Sequence, residues 1–246
     1  MSRQQWRKLI LFSIFLAMPP LFFWYSPWHL WIGARQGILC GSGLLFAVMF
    51  LSGLFLGRAY CGWACSPAGI QEAWCMVQDK RLASQRFTWT KWLVWLPWMA
   101  AVAVAALQAR GFQEVMPLMD MDEGLSVTDS HGYTCYYSVL FIISALCLPL
   151  GRRAFCHHFC WMGPFCTLGT WVQGALRTPS LRLRADRDLC DGCGECDAAC
   201  PMSLEVAALV KSRRLRHTDC VLCGSCVDAC SRRAIAFGFG RPDPVG

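Results

Sequence analysis

Residues 190–201 read CDGCGECDAACP, and residues 220–231 read CVLCGSCVDACS. Each stretch spaces four cysteines as C-x2-C-x2-C-x3-C, the run in which three thiolates wrap one iron–sulfur cubane and the fourth ligates its neighbour. The first run ends in the matching proline, Pro201. The spacing therefore predicts two [4Fe–4S] clusters, one on Cys190, Cys193, Cys196 and Cys230, the other on Cys220, Cys223, Cys226 and Cys200. Zinc also takes C-x2-C pairs, but it needs two separate pairs rather than overlapping triplets plus one. Short β-like stretches at 181–184 and 234–239 flank the two loops and suit a small α+β unit. Residues 177–246 thus read as a two-cluster ferredoxin-like domain entered through a basic linker.

Upstream the chain belongs to a different solvent. It has 246 residues, of which 55% are hydrophobic and only 16% charged, with twelve tryptophans. That is too apolar for a soluble redox protein of this size. Four apolar runs, 9–25, 38–56, 92–107 and 133–150, carry the excess. Each approaches the roughly 17 to 25 residues that cross the hydrocarbon. Pro19, Pro20, Pro97 and Pro149 interrupt them, which membrane helices tolerate when neighbours satisfy the freed carbonyls. The first run follows Arg3, Arg7 and Lys8 like a signal peptide, but no small-x-small cleavage site comes after it, so it reads as a retained helix. The expected fold over residues 1–176 is a membrane α-helical bundle of four transmembrane helices arranged as two repeated hairpins.

Basic residues give the orientation. Arg3, Arg7 and Lys8 precede the first run; Arg58, Lys80, Arg81, Arg86 and Lys91 separate the second from the third; Arg152 and Arg153 follow the fourth. The opposite connections hold only Arg35 and Arg110, and the second also carries Glu114, Asp120, Asp122, Glu123 and Asp129. By the positive-inside rule the chain is a multi-pass protein of a bacterial cytoplasmic (inner) membrane, with both termini cytoplasmic. The net charge of +7 then signals orientation and anionic lipid, not nucleic acid. Lys211, Arg213, Arg214 and Arg216 lie between the cluster loops, as a solvated face or a contact for the inner leaflet. Of seventeen cysteines nearly all fall in the membrane or on the reducing side, so they do not imply a disulfide framework. Cys135, at the outer end, reads as an isolated thiol, and Cys40 and Cys147 as core residues.

An internal repeat links the bundle to chemistry. RAYCGWAC from Arg58 and RAFCHHFC from Arg153 match as R-A-aromatic-C-x3-C. Cysteines four apart share a helix face or flank one turn, so Cys61, Cys65, Cys156 and Cys160 could face a common centre. They read as ligands of a further metal or iron–sulfur centre, as a redox-active dithiol, or as thiols packed as small residues. Cys75 and Cys166 follow the two motifs at unequal distances, as substitutes or bystanders. His157 and His158 read as proton carriers or ligands, against the commoner interfacial histidine.

Four apolar runs, the C-G-W-x-C motif at Cys61, the second C-x3-C at Cys156 and the two-cluster tail together resemble the NapH/MauN/NosR group of membrane ferredoxin-type proteins, from about residue 9 to 237. The resemblance implies an electron-relaying or quinol-oxidising subunit of a larger assembly. It would join the quinol pool to a redox partner protein, whether ferredoxin-type, a cytochrome or a periplasmic reductase. Copper-handling relatives imply the alternative of an iron–sulfur reductase serving metal or cofactor assembly of another redox enzyme. The family's membrane cysteine pairs are followed at once by proline, whereas Ser66-Pro67 follows Cys65 and Trp161-Met162 follows Cys160. There is no C-x2-C-H haem site, G-x-G-x-x-G, P-loop or G-x-S-x-G, so no residue reads as catalytic in its own right.

Overall fold

Proline and glycine decide where the apolar runs break. A computed structural model describes residues 1–82, 85–212 and 215–241. Helix α1 (Arg3–Leu16) opens on a capping box: Ser2 accepts the Gln5 amide while the Gln5 side chain accepts the Ser2 amide. Pro19 and Pro20 lack the amides a helix needs, and the chain bends by 64° into α2 (Met18–Leu21) and a 3-10 turn (Phe22–Tyr25). Helix α3 (Pro27–Gln36), absent from the sequence reading, is capped by Ser26 and stopped by Gly37 at φ 72°.

The second run also divides. Strand β1 (Ile38–Cys40) takes its first residues and pairs in parallel with β2 (Glu114–Met116), leaving sixteen residues for α4 (Gly41–Leu56). The short helix α5 (Ala59–Trp63) and α6 (Ser66–Val77) follow. The third and fourth runs form α7 (Thr90–Gln108) and α8 (Ser130–Leu150), and then come α9 (Ala154–His158) and α10 (Gly163–Leu176). Among the described residues only α7 and α8 are single helices long and apolar enough to cross a membrane; the bent pair 3–25 passes only when taken together. That gives two candidate spans, or three with the bent pair, against the four expected. The difference arises because a strand shortens one run and a diproline breaks another.

The repeat is longer than the motif that revealed it. Helices α4, α5 and α6 correspond to α8, α9 and α10: a long apolar helix, a short helix with the first cysteine, and a second helix starting just after the second cysteine. Pro67 and Pro164 both sit in the first turn of that last helix, where a missing amide costs nothing. The proline expected directly after each cysteine has moved one residue on in the first repeat and three in the second. The repeats exchange partners, for α10 lies along α4 and α6 lies along α8. The α4/α10 crossing needs glycine on both sides: a Cβ on Gly53 would lie 2.6 Å from the Cys166 carbonyl oxygen, and one on Gly169 would lie 2.3 Å from that of Phe50.

The C-terminal segment closes on an antiparallel pair, β3 (Ser180–Ala185) and β4 (Ile235–Gly240), with Leu181 opposite Phe239 and Ala185 opposite Ile235. Helices α11 (Glu195–Ala198), α12 (Val206–Lys211) and α13 (Ser225–Ala229) lie between them. Three distant parts of the helical region meet this segment on one side. Arg3 pairs with Asp228, Gln4 donates to the Cys223 carbonyl, Gln85 donates to the Ser203 carbonyl, and Arg152 donates to that of Ala198. Of the basic connection, Arg213 and Arg214 lie outside the described residues. Arg216 is not a free surface charge, because it donates to the Thr170 carbonyl of α10.

Replacing Gly169 by alanine should force α4 and α10 apart. The expected loss is about 1–3 kcal/mol of stability, read as a lower Tm of the detergent-solubilised protein.

Candidate metal centres

The two C-terminal quartets curl in the same way. Gly192 and Gly194 in the first loop, and Leu222 and Gly224 in the second, all have left-handed backbone, with φ between 48° and 79°. Glycine adopts this freely, whereas leucine does so at a cost that its surroundings must offset. Two cavities result. One, of about 370 Å³, is lined by Cys190, Cys193, Cys196 and Cys230 together with Asp191, Glu195 and Arg232. The other, of about 450 Å³, is lined by Cys200, Cys220, Cys223 and Cys226, with otherwise apolar neighbours and His217. The fourth cysteine of each run therefore faces the other run's cavity. Four sulfurs in each cavity are a donor set that suits a [4Fe–4S] centre.

A further group of sulfurs is buried where the two repeats meet. Cys61, Cys65, Cys156 and Cys160 are each 6% exposed or less, and Cys166 is fully enclosed with its sulfur 3.8 Å from that of Cys61. The hydrogen bond shared with Cys166, reinforced by the Arg58 and Arg153 guanidinium groups, holds Cys61 below the ordinary thiol value, at about 6. Hydrogen bonding with Cys160, with help from Arg153 and Gln71, lowers Cys156 to about 7. Burial raises Cys65 instead. Further donors aim at these sulfurs: Gln71 Nε2 lies 3.2 Å from Cys156 Sγ, and the Gly163 amide lies 3.3 Å from Cys160 Sγ. Among the described residues, no three His, Cys, Asp or Glu side chains converge as the ligands of a single metal ion do.

Two ion-pair networks enclose the group. Glu72 accepts two bonds from Arg7, at 2.9 and 3.0 Å, and one from Arg153 at 2.6 Å. Burial would raise this carboxyl, but Arg153 and then Arg7 outweigh it and hold Glu72 at about 2. Asp219, next to Cys220, accepts from Arg58 at 2.9 Å and from Lys91 at 2.5 Å. These cations hold its carboxyl well below the usual carboxylate range despite burial. Arg7, Arg58, Lys91 and Arg153 are each 3% exposed or less. Four residues of the positive-inside argument are thus buried in ion pairs instead of standing at a lipid surface. His157 is likewise buried, without a partner at either ring nitrogen, and desolvation lowers it to about 3. It is not the interfacial histidine its position at a helix end suggests.

The short helix that carries Cys61 touches the second C-terminal cysteine loop through Gly62 and Trp63. A Cβ on Gly62 would lie 2.2 Å from the Val221 carbonyl oxygen, so only glycine lets α5 approach this loop. Trp63 Nε1 donates to the Leu222 carbonyl at 3.1 Å, and the Leu222 side chain reaches toward Gly57. These contacts offset the strain of a left-handed leucine. On the other side of α5, Arg153 donates to the Cys61 carbonyl at 3.1 Å and Arg7 to that of Gly62 at 3.3 Å.

Sequence reasoning set Cys166 aside and did not find Gln71, Glu72 or Asp219 at all. The signal for the first two was available: adjacent polar residues inside the apolar stretch 67–77 are costly unless partnered. Asp219 gave no such signal in a charged connection. Cys75 remains half-buried and outside the group, and Cys40 and Cys147 are buried as core residues.

Comparison with known proteins agrees with this division of the sulfurs. A family described as a 4Fe-4S dicluster domain matches residues 182–231, and one described as a 4Fe-4S binding domain matches 41–79 and 136–179, the two repeats. The methylamine utilization ferredoxin-type protein MauN of Paracoccus denitrificans is 29% identical over 193 residues, covering 75% of this chain and 61% of that protein. MauN of Methylobacillus flagellatus is 27% identical over 229 residues, covering 85% and 77%. The ferredoxin-type protein NapH of Haemophilus influenzae is 29% identical over 84 residues, covering 31% and 29%. The chain thus spans less than two thirds of the Paracoccus protein's length. No solved structure matches. With two apolar helices long enough to cross a membrane, two 4Fe-4S family matches and these relatives, the chain belongs to the NapH/MauN-type 4Fe-4S ferredoxin family.

Proposed function

We propose that this protein is a membrane-bound iron–sulfur electron-transfer subunit that relays electrons between the quinol pool and a partner redox protein. It divides into a helical membrane part, residues 1–176, and a ferredoxin part, 177–246. The membrane part crosses an inner membrane four times, with α1 to the 3-10 turn and α4 counted as spans, and both termini are cytoplasmic. Cys190, Cys193, Cys196 and Cys230 hold one [4Fe–4S] cluster, and Cys220, Cys223, Cys226 and Cys200 hold the other. Cys61, Cys65, Cys156 and Cys160 hold a further iron–sulfur centre at the membrane face. The observation that carries this reading is the contact of Gly62 and Trp63 with Val221 and Leu222. It sets the membrane-motif cysteines against the loop that lines the second cavity, so electrons pass between them through a few covalent bonds and one backbone contact.

A second reading rests on Cys61 and Cys166. Two buried sulfurs 3.8 Å apart, one of them held toward thiolate, are also the makings of a redox dithiol. Such a pair would serve the reduction of a metal or thiol during assembly of another redox enzyme.

Iron and acid-labile sulfide in anaerobically purified protein separate the two readings. Three centres correspond to about twelve irons per chain, falling to about eight in Cys61→Ser and Cys156→Ser. About eight in wild type and variants alike would leave the dithiol. Crossed ligation makes its own prediction: Cys230→Ser should abolish the spectroscopic signal that Cys190→Ser abolishes, not the one lost in Cys220→Ser. Reduction by a quinol analogue, followed by electron paramagnetic resonance in membranes with the partner present, tests the quinol assignment. No reduced signal under those conditions would end it. Gly62→Val should leave each centre's iron intact while slowing electron equilibration between the membrane-face and C-terminal centres by tenfold or more, measured by rapid-freeze spectroscopy.

A further inference from the structure

We infer that the open face around Cys193, flanked by Leu189, is where a soluble one-electron carrier protein with an uncharged docking surface meets this chain. The inference rests on the proposed two-cluster relay and adds which end of it faces the partner.

The two C-terminal cysteine loops stand in unlike surroundings. The helical region covers the second. Arg3 donates to the Gly224 carbonyl and Gln4 to that of Cys223, Gly62 closes on Val221, and Trp63 donates to the Leu222 carbonyl. Arg58 and Lys91 hold Asp219 at its start. Cys223, Cys226 and Cys200 are buried there. The first loop is open. Cys193 is exposed, a Cβ on Gly194 would meet nothing within 4 Å, and Leu189, next to Cys190, is 51% exposed. Asp191 pairs with Arg232 of the same segment, and Lys211, also of that segment, lies against Gly192. Electron exchange between proteins falls off steeply with distance, so it favours the ligand that reaches the surface. A carrier at Cys193 reaches the Cys190/Cys193/Cys196/Cys230 set directly, whereas α1, α5 and the start of α7 stand over the second loop.

Charge decides what kind of carrier fits. Asp191 and Glu195 on the open loop are matched by Arg232 and Lys211, and Asp188 beside Leu189 is matched by Arg187; all six are exposed. A balanced face gives neither an acidic nor a basic partner a long-range pull. The exposed leucine supplies apolar contact instead, on the scale of the small encounters, below about 1,200 Å², that electron carriers make. One electron crosses per encounter, and no bond forms or breaks. The carrier is oxidised by one electron as the Cys190/Cys193/Cys196/Cys230 set takes it up, and an electron returning to the carrier uses the same face.

The test mixes the full chain, purified anaerobically, with fully reduced flavodoxin as the carrier protein, or with reduced methyl viologen as a small donor that needs no docking face. Rapid-freeze electron paramagnetic resonance follows the cluster signals. Leu189→Glu should slow reduction by flavodoxin by about tenfold or more and leave reduction by methyl viologen unchanged. In Cys190→Ser, which lacks the first signal, the second should become as poor a target for flavodoxin while methyl viologen still reduces it; in Cys220→Ser the first should keep its wild-type rate. Raising salt from about 0.01 to 1 M shortens the screening length from about 30 to 3 Å. The flavodoxin rate should change by less than about tenfold, where a charge-steered encounter loses about 10- to 1,000-fold. A larger loss, an unaltered rate in Leu189→Glu, a second signal reduced as fast without the first, or no reduction by flavodoxin where methyl viologen reduces both signals would each overturn the inference. Protein that shows no cluster signal even with methyl viologen would remove the two-cluster reading instead.

Discussion

Glu72 and Asp219 hold the structure in register. Each is a buried carboxylate gripping two buried cations from different parts of the chain: Glu72 joins α1 to the turn before α9, and Asp219 joins the end of α4 and the start of α7 to the second cluster loop. Removing one partner from a buried pair strands a charge and costs about 3–5 kcal/mol, more than most single packing contacts are worth. The networks therefore specify where the helices and the C-terminal loop sit, beyond what apolar burial would do. Apolar surface cannot do this alone here, because a helix facing lipid gains little by choosing one apolar neighbour over another.

The repeat supplies the second constraint. In each copy an arginine stands just beyond the long helix, three residues before the first cysteine, and the copies exchange their last helices across the crossing of Gly53 and Gly169. The exchange draws the two cysteine pairs together at the seam. Arg58 and Arg153 occupy matching places in the motif but serve different networks, one reaching Asp219 and the other Glu72. Pseudo-symmetry thus builds the sulfur group and its cationic shell together. The same seam presents the Gly62 backbone to the C-terminal segment, where a side chain of any size would hold the two parts away from each other.

The eight C-terminal cysteines were legible in the sequence because their spacing is local: a loop of eleven residues fixes which sulfurs can face one point, and the crossed partition of Cys200 and Cys230 follows from the length of each x3 step. The membrane repeat was legible for the same reason, and the β-like stretches 181–184 and 234–239 are met by β3 and β4. The helical region read less well. A run of apolar residues reports burial or lipid and not continuity, so 9–25 and 38–56 looked whole where a diproline and a three-residue strand divide them. Basic residues near run ends looked like an orientation signal, and for Arg7, Arg58, Lys91 and Arg153 the fold spends them inside.

What the sequence determined by itself is the number and spacing of the cysteines, their division into two loops and a duplicated pair, and the company of apolar helices. What only the tertiary structure decided is the arrangement of charge and distance around them. Cys166 beside Cys61, Gln71 on Cys156, and Glu72 and Asp219 among four cations are contacts between residues dozens to more than a hundred positions apart. Ligand spacing is written in neighbouring residues, but an ion pair acts across whatever space the folded chain closes, and no local pattern records it.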